Sequence, residues 1–238
     1  MKVRLVAAVA ISVASATSLT SANAVQAPKA TLIDVHEIKA ATNNARPSGG
    51  ANCTNAGAAS GTYALTGWAV QGPTTSLFNT TTLPAGLNLS STVSALQAGY
   101  SAWTQGSAAP TISVATSTTS SLKPTSNHQY EIMFGKASGT SLAVTYTWRW
   151  SDGTVESDTI FNTAFAWGNL GAEGDGCYET AGNVYDVGNI ATHEFGHTYG
   201  LDHPSGARFE TMYAYGYSGE TLKRSPASGD VAGINAVY

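Results

Sequence analysis

The hydrophobic pattern of the chain predicts an α+β fold, with about five β-strands, two main helices and a short closing helix. Three observations carry this prediction. Between residues 62 and 167 apolar residues recur mainly at every second position, interrupted once by a helical stripe. After residue 186 the period lengthens to three or four. The 238 residues suffice for one sizeable core but not for two independent domains.

Residues 1–24 stand apart from that core. A basic "MKVR" start, an apolar run from Leu5 to Val13 broken only by Ser12, and the triplet Ala22-Asn23-Ala24 form the pattern of a secretory signal peptide cleaved after Ala24. The apolar run is too short for a membrane anchor. Residues 25–50 hold Pro28, Pro47 and Gly49-Gly50, with one short periodic patch at Leu32, Val35 and Ile38, and read as a linker or short propeptide. The main folded unit is then residues 51–238, starting near Cys53.

Thr62 to Val70 reads as the first strand. Val93, Leu96, Tyr100 and Trp103 then form one apolar helical stripe, in which Gly99 lowers propensity by about 1 kcal/mol. Thr111–Ser117 and Tyr130–Lys136 read as strands separated by a Ser/Thr-rich loop. Ala143 to Trp150 alternates, with Val144, Tyr146, Trp148 and Trp150 on one side, the mark of a strand buried on one face. Asp158–Trp167 follows as a further strand, and Trp148, Trp150 and Trp167 are expected to pack in core and rim. Asp186 is a plausible N-cap for a second helix reaching about Tyr199. The last helix, "SGDVAGINAVY", places Val231, Ile234 and Val237 on one stripe.

Without the leader, nine basic residues face fifteen acidic ones, a net charge of −6. That argues against nucleic acid or an anionic membrane as partner. Cys53 and Cys177 would reach an oxidising compartment, where a single disulfide is the default; the competing reading is a free Cys53 whose thiolate reaches a metal.

The second helix carries "HEFGH". His193 and His197, four apart, project from one face and can share one tetrahedral ion. Glu194 is placed to accept a proton from water activated by that ion. Gly200 permits a sharp turn through positive φ, after which His203 can return as the third ligand. Three imidazoles leave a fourth position open, which distinguishes a catalytic zinc site from a closed structural one. His36 and His128 are isolated in sequence and read as surface or capping residues.

"HEFGHTYGLDH" resembles the extended zinc signature of the metzincin metallopeptidases, and "ETMYAY" resembles their Met-turn. The short gap from His203 to Met212, and the closing "GDVAGINAVY", look like the matrixin branch, the matrix-metalloproteinase-like group. The resemblance implies a metzincin-like α+β fold, a twisted mixed β-sheet of about five strands with two main helices and a short C-terminal subdomain ending in a helix. It also implies Zn2+ held by His193, His197 and His203, Glu194 as general base and later acid, and Met212 as the apolar floor. Tyr213 follows the methionine as in matrixins, but Ala214 stands where they usually carry proline. Tyr215 is one residue out of register with the zinc-approaching tyrosine of astacins and is expected to pack. No cysteine switch is present, since "ANCTNAG" does not match it, and histidines for a second, structural zinc are lacking. Ca2+ through Asp152, Glu156, Asp158, Glu173, Asp175 or Asp186 is a weaker expectation, because these carboxylates form no recognisable loop and read mostly as solvated turn residues.

The sequence thus predicts a secreted, extracellular zinc metalloendopeptidase, monomeric, acting on protein or peptide substrates that pair with Ala143–Trp150 as an edge strand. Two rivals remain at this stage: a secreted binding or adhesion protein with a structural zinc site, and a peptidase confined to very short peptides.

Overall fold

The computed structural model describes residues 28–41, 60–171 and 183–238. The proposed leader and both cysteines lie outside the described residues, as do Glu173 and Asp175. Eleven strands and three α-helices follow in chain order among the described residues: β1 Ala30–Ala40, β2 Ala64–Leu65, β3 Thr74–Asn79, α1 Leu89–Thr104, β4 Ile112–Ser117, β5 Tyr130–Gly135, β6 Ser141–Trp150, β7 Val155–Asn162, β8 Ala166–Gly168, β9 Val184–Asp186, α2 Val187–Thr198, β10 Leu201–Asp202, β11 Tyr215–Gly216 and α3 Ser228–Val237.

The main sheet runs β11-β1-β6-β7-β5-β3-β4. Strands β3, β4, β5 and β7 pair in parallel; β6 lies antiparallel to β7 and to β1. This is the mixed α+β arrangement expected, but three of its seven strands, β1, β3 and β11, lie outside the expected ones, while β2 pairs with β10 in a separate small sheet. Strands β1 and β11 bear on the site.

The core forms where α1 and α2 pack together against the sheet. Phe78, Ile132, Phe134, Ala143 and Phe161 meet Leu96, Tyr100 and Trp103 of α1 and Ile190 and Phe195 of α2. Burying each such side chain is worth about 1.5–3 kcal/mol. Gly99 is there for contact: a Cβ would lie 3.1 Å from the Phe195 ring and 3.2 Å from the Thr192 nitrogen. Asn88 caps α1 by accepting from Ser91 N, and Asp186 caps α2 by accepting from Asn189 N at 2.7 Å.

Several expectations are corrected. Residues 25–50 are not simply a linker, because Ala30–Ala40 pairs with β6 along its length, so the folded part begins well before Cys53. For the same reason β6 is not an edge strand. Nor is it buried on one face: Ala143, Thr145 and Thr147 are buried towards α2, while Val144 packs with Met133 and Ile160 on the other side. Of Thr62–Val70 only Ala64–Leu65 is strand, and β3 was not foreseen. Asp158–Trp167 is two elements, β7 ending at Asn162 and β8 starting at Ala166, since Asn162 turns the chain by accepting from Ala164 N. In α3 only Ile234 of the expected stripe is buried. Gly229, Asp230 and Gly233 fill the rest of that face, because the helix sits so close that only small residues fit.

Candidate metal centre

Every residue of α2 is buried. Its polar side chains therefore need partners inside the protein, and the site is built from the ones they find. The His193 and His197 rings project from one side, and the chain reverses at Gly200, whose φ is +97°. A Cβ there would lie 2.2 Å from the Trp68 carbonyl oxygen, so glycine is required twice over. The turn is pinned by Thr66, whose N and Oγ1 both donate to Gly200 O. Strand β10 then delivers the half-buried His203.

The three Nε2 atoms converge, 3.0 Å from His193 to His203, 3.2 Å from His193 to His197 and 3.1 Å from His197 to His203. They are the candidate metal-binding cluster among the described residues. His193 Nδ1 lies 2.6 Å from Thr211 O, and His197 Nδ1 lies 2.9 Å from Leu201 O. A carbonyl can only accept, so each Nδ1 carries the proton and each Nε2 presents a lone pair. Burial holds His193 and His197 well below the ordinary imidazole range and lowers His203 to about 4, so protonation does not relieve the crowding. The lone pairs of His193 and His197 face one another at 3.2 Å, an arrangement that a cation between them stabilises. The spacing suits one zinc with nitrogens at roughly 2.0–2.1 Å. The residues fit the metal.

Glu194, next to His193 on α2, points towards strands β1 and β6. Its Oε2 accepts from Thr145 Oγ1 at 2.6 Å and its Oε1 from Ile38 N at 3.2 Å. Burial pushes this carboxyl up to about 8, against the lowering effect of those two donors. Met212 lies beneath α2, where a Cβ on Gly196 would be 2.2 Å from its Sδ. The turn carrying it is held by Asp230 of α3, which accepts from Thr211 N at 2.5 Å and Met212 N at 3.1 Å. Asp230 thereby fixes the same Thr211 carbonyl that orients His193.

The structure thus brings His193, His197 and His203 together, with Met212 against the same helix at Gly196 and Glu194 facing β1 and β6. Tyr215 stands apart, exposed on β11 with its ring against Tyr213. His36 corrects its reading as a surface residue: its ring stacks on His197 at 4.2 Å, and its Nε2 lies 3.0 Å from Asp202 Oδ1. His128 is on the surface, stacked on Trp150. Glu156, Asp158 and Asp186 are not solvated turn residues. Glu156 accepts from Asn127 N and His128 N, Asp158 from Thr125 N and Glu131 N, and Asp186 pairs with Arg224 at 2.8 Å. Asp152 is the exposed turn residue expected. Sequence reasoning missed Thr145, Asp230, His36 and Ile38. Only Asp230, inside the "GDVAG" already noted, carried a local signal.

Comparison with curated proteins returns no match. The matrixin family model matches residues 73–238, well over half of the chain, and takes in the three histidines, Glu194, Met212 and the last helix. The chain belongs to the matrixin family of zinc metallopeptidases.

Proposed function

We propose that the protein is a secreted endopeptidase that cuts extracellular proteins, using Glu194 as general base and then general acid. The observation that carries this is the convergence of three neutral imidazoles, with a buried carboxyl group on the residue that follows His193 along the same buried helix. His193, His197 and His203 would hold the zinc, which supplies Lewis acidity that polarises a scissile carbonyl and acidifies water. Glu194 takes the proton from the attacking water and returns it to the departing amine. Thr145 keeps the carboxyl aimed while it does so. An extended peptide lies between β6 and β11, held by backbone hydrogen bonds to both.

The leader-like residues 1–24 and membership in a typically extracellular family support secretion; no helix among the described residues is long and apolar enough to cross a membrane. The test is zymography on gelatin and casein, with metal analysis. Glu194→Gln is expected to abolish cleavage while still binding about one zinc. Near wild-type cleavage by that variant would overturn the assignment, and cleavage of dipeptides alone would restrict the enzyme to very short substrates.

A further inference from the structure

Strand β1 lies outside the stretch that the matrixin model matches, yet it fills the groove beside the metal centre. It runs antiparallel to β6 and, at Lys39 and Ala40, parallel to β11, so it is an extended peptide held between two walls. Lys39 N donates to Ala214 O at 2.9 Å and Ala41 N to Gly216 O at 3.0 Å. Side chains alternate as a strand requires. Glu37 and Lys39 point outward and pair at 2.9 Å, while His36 and Ile38 point inward. His36 covers His197. Ile38 is fully buried in an apolar pocket, its Cδ1 converging with those of Ile190 and Leu142 over Gly216. A Cβ on Gly216 would stand within 3.0–3.3 Å of all three. Between the two inward side chains lies the Glu37–Ile38 peptide bond, and its nitrogen donates to Glu194 Oε1.

We propose that this strand is the enzyme's own first substrate, and that the chain hydrolyses its Glu37–Ile38 bond intramolecularly. The proposal rests on the endopeptidase reading above. The nitrogen that must leave as an amine already touches the carboxyl group placed to protonate it. Water's oxygen bonds to the Glu37 carbonyl carbon, and the C–N bond breaks with its electron pair remaining on the Ile38 nitrogen. The proton taken from water passes through Glu194 to that nitrogen. One product ends in the Glu37 carboxylate, and the other begins with the Ile38 amine. Before cleavage the strand keeps other peptides out of the groove. Afterwards residues up to Glu37 lose their covalent tie to the buried Ile38 and keep the ladder to β6 and the His36 contacts with His197 and Asp202; with Leu32 and Val35 nearly half in water, they leave on dilution.

The full chain, loaded with zinc, is followed by intact mass and N-terminal sequencing. A new N-terminus at Ile38 is expected, at a first-order rate unchanged over a hundredfold dilution, with gelatin cleavage rising in step. Glu194→Gln should remain intact, with slow hydrogen exchange at residues 36–40 whether or not zinc is present. Adding Ile38→Asp to it should speed exchange there and along β6 at least tenfold, with α2 still protected as a check on folding; Val35→Asp, on the outward face, should not. An enzyme that cleaves gelatin but leaves the Glu37–Ile38 bond intact overturns the proposal and leaves the endopeptidase reading standing. A rate proportional to concentration, or unchanged exchange in the Ile38→Asp variant, also overturns it. Wild-type protein that cuts neither gelatin nor itself overturns both.

Discussion

Replacing Gly196 by alanine tests how the floor of the metal centre is packed. The added Cβ would lie 2.2 Å from Met212 Sδ and 2.7 Å from Trp103 Cζ2. The indole is not free to yield, because it is buried and its Nε1 donates to Thr192 O at 2.9 Å. Met212 must therefore retreat by about 1.2–1.8 Å to reach ordinary contact, and core overpacking of this kind costs about 1–3 kcal/mol. For a domain of this size that lowers Tm by roughly 2–12 °C. The displacement also reaches the metal, since Met212 adjoins Thr211, whose carbonyl orients His193. Differential scanning calorimetry and zinc competition on the Glu194→Gln background, which removes self-digestion, should show both a lower Tm and weaker zinc binding. Met212→Ala in the same chain should cost less than it does alone, because the two changes share one space. An unchanged Tm together with unchanged zinc affinity would refute the packing argument.

Gly200→Ala should be more damaging than Gly196→Ala, because the clash is with the Trp68 backbone at φ +97° and no side chain can move aside; calorimetry and metal content again decide. Thr145→Val should lower stability by about 1–3 kcal/mol, since it strips a buried carboxyl of a 2.6 Å hydrogen bond, and Thr145→Ser should restore most of it in urea titrations. Burial, with Glu131 and Glu156 adding, pushes Asp158 up to about 8, against the backbone donors of Thr125 and Glu131. The native chain therefore keeps a proton that the unfolded chain sheds near its ordinary value of about 4. The stability this contributes is fully present below about pH 4 and is lost as pH rises through about 8. Urea midpoints should fall between pH 5 and pH 8, and Asp158→Asn should flatten that fall; an equal slope in the variant would refute the assignment.

The candidate zinc-binding residues were legible from sequence because their geometry is local. Helix pitch fixes the relation of His193 to His197, and one glycine turn fixes His203, so spacing alone specifies the triangle. The α1 stripe and the Asn88 and Asp186 caps are local in the same sense. Strand bounds were less legible: β6 is buried on both faces, so its alternation marked a strand without saying which face met the helices.

What only the tertiary structure decided is what reaches the site from far along the chain. Thr145 looked like one of several threonines on a polar face until the sheet placed it under Glu194. Asp230 lies nineteen residues beyond Thr211, whose amide it holds. His36 and Ile38 lie in a segment whose short apolar patch gives no hint of a partner, because a strand's partner is fixed by whichever edge is left unpaired. Sequence by itself determined the family and the candidate metal-binding histidines, since those depend on contacts within a turn or two. Which peptide first fills the groove depends on pairing across more than a hundred residues, and periodicity carries no record of that.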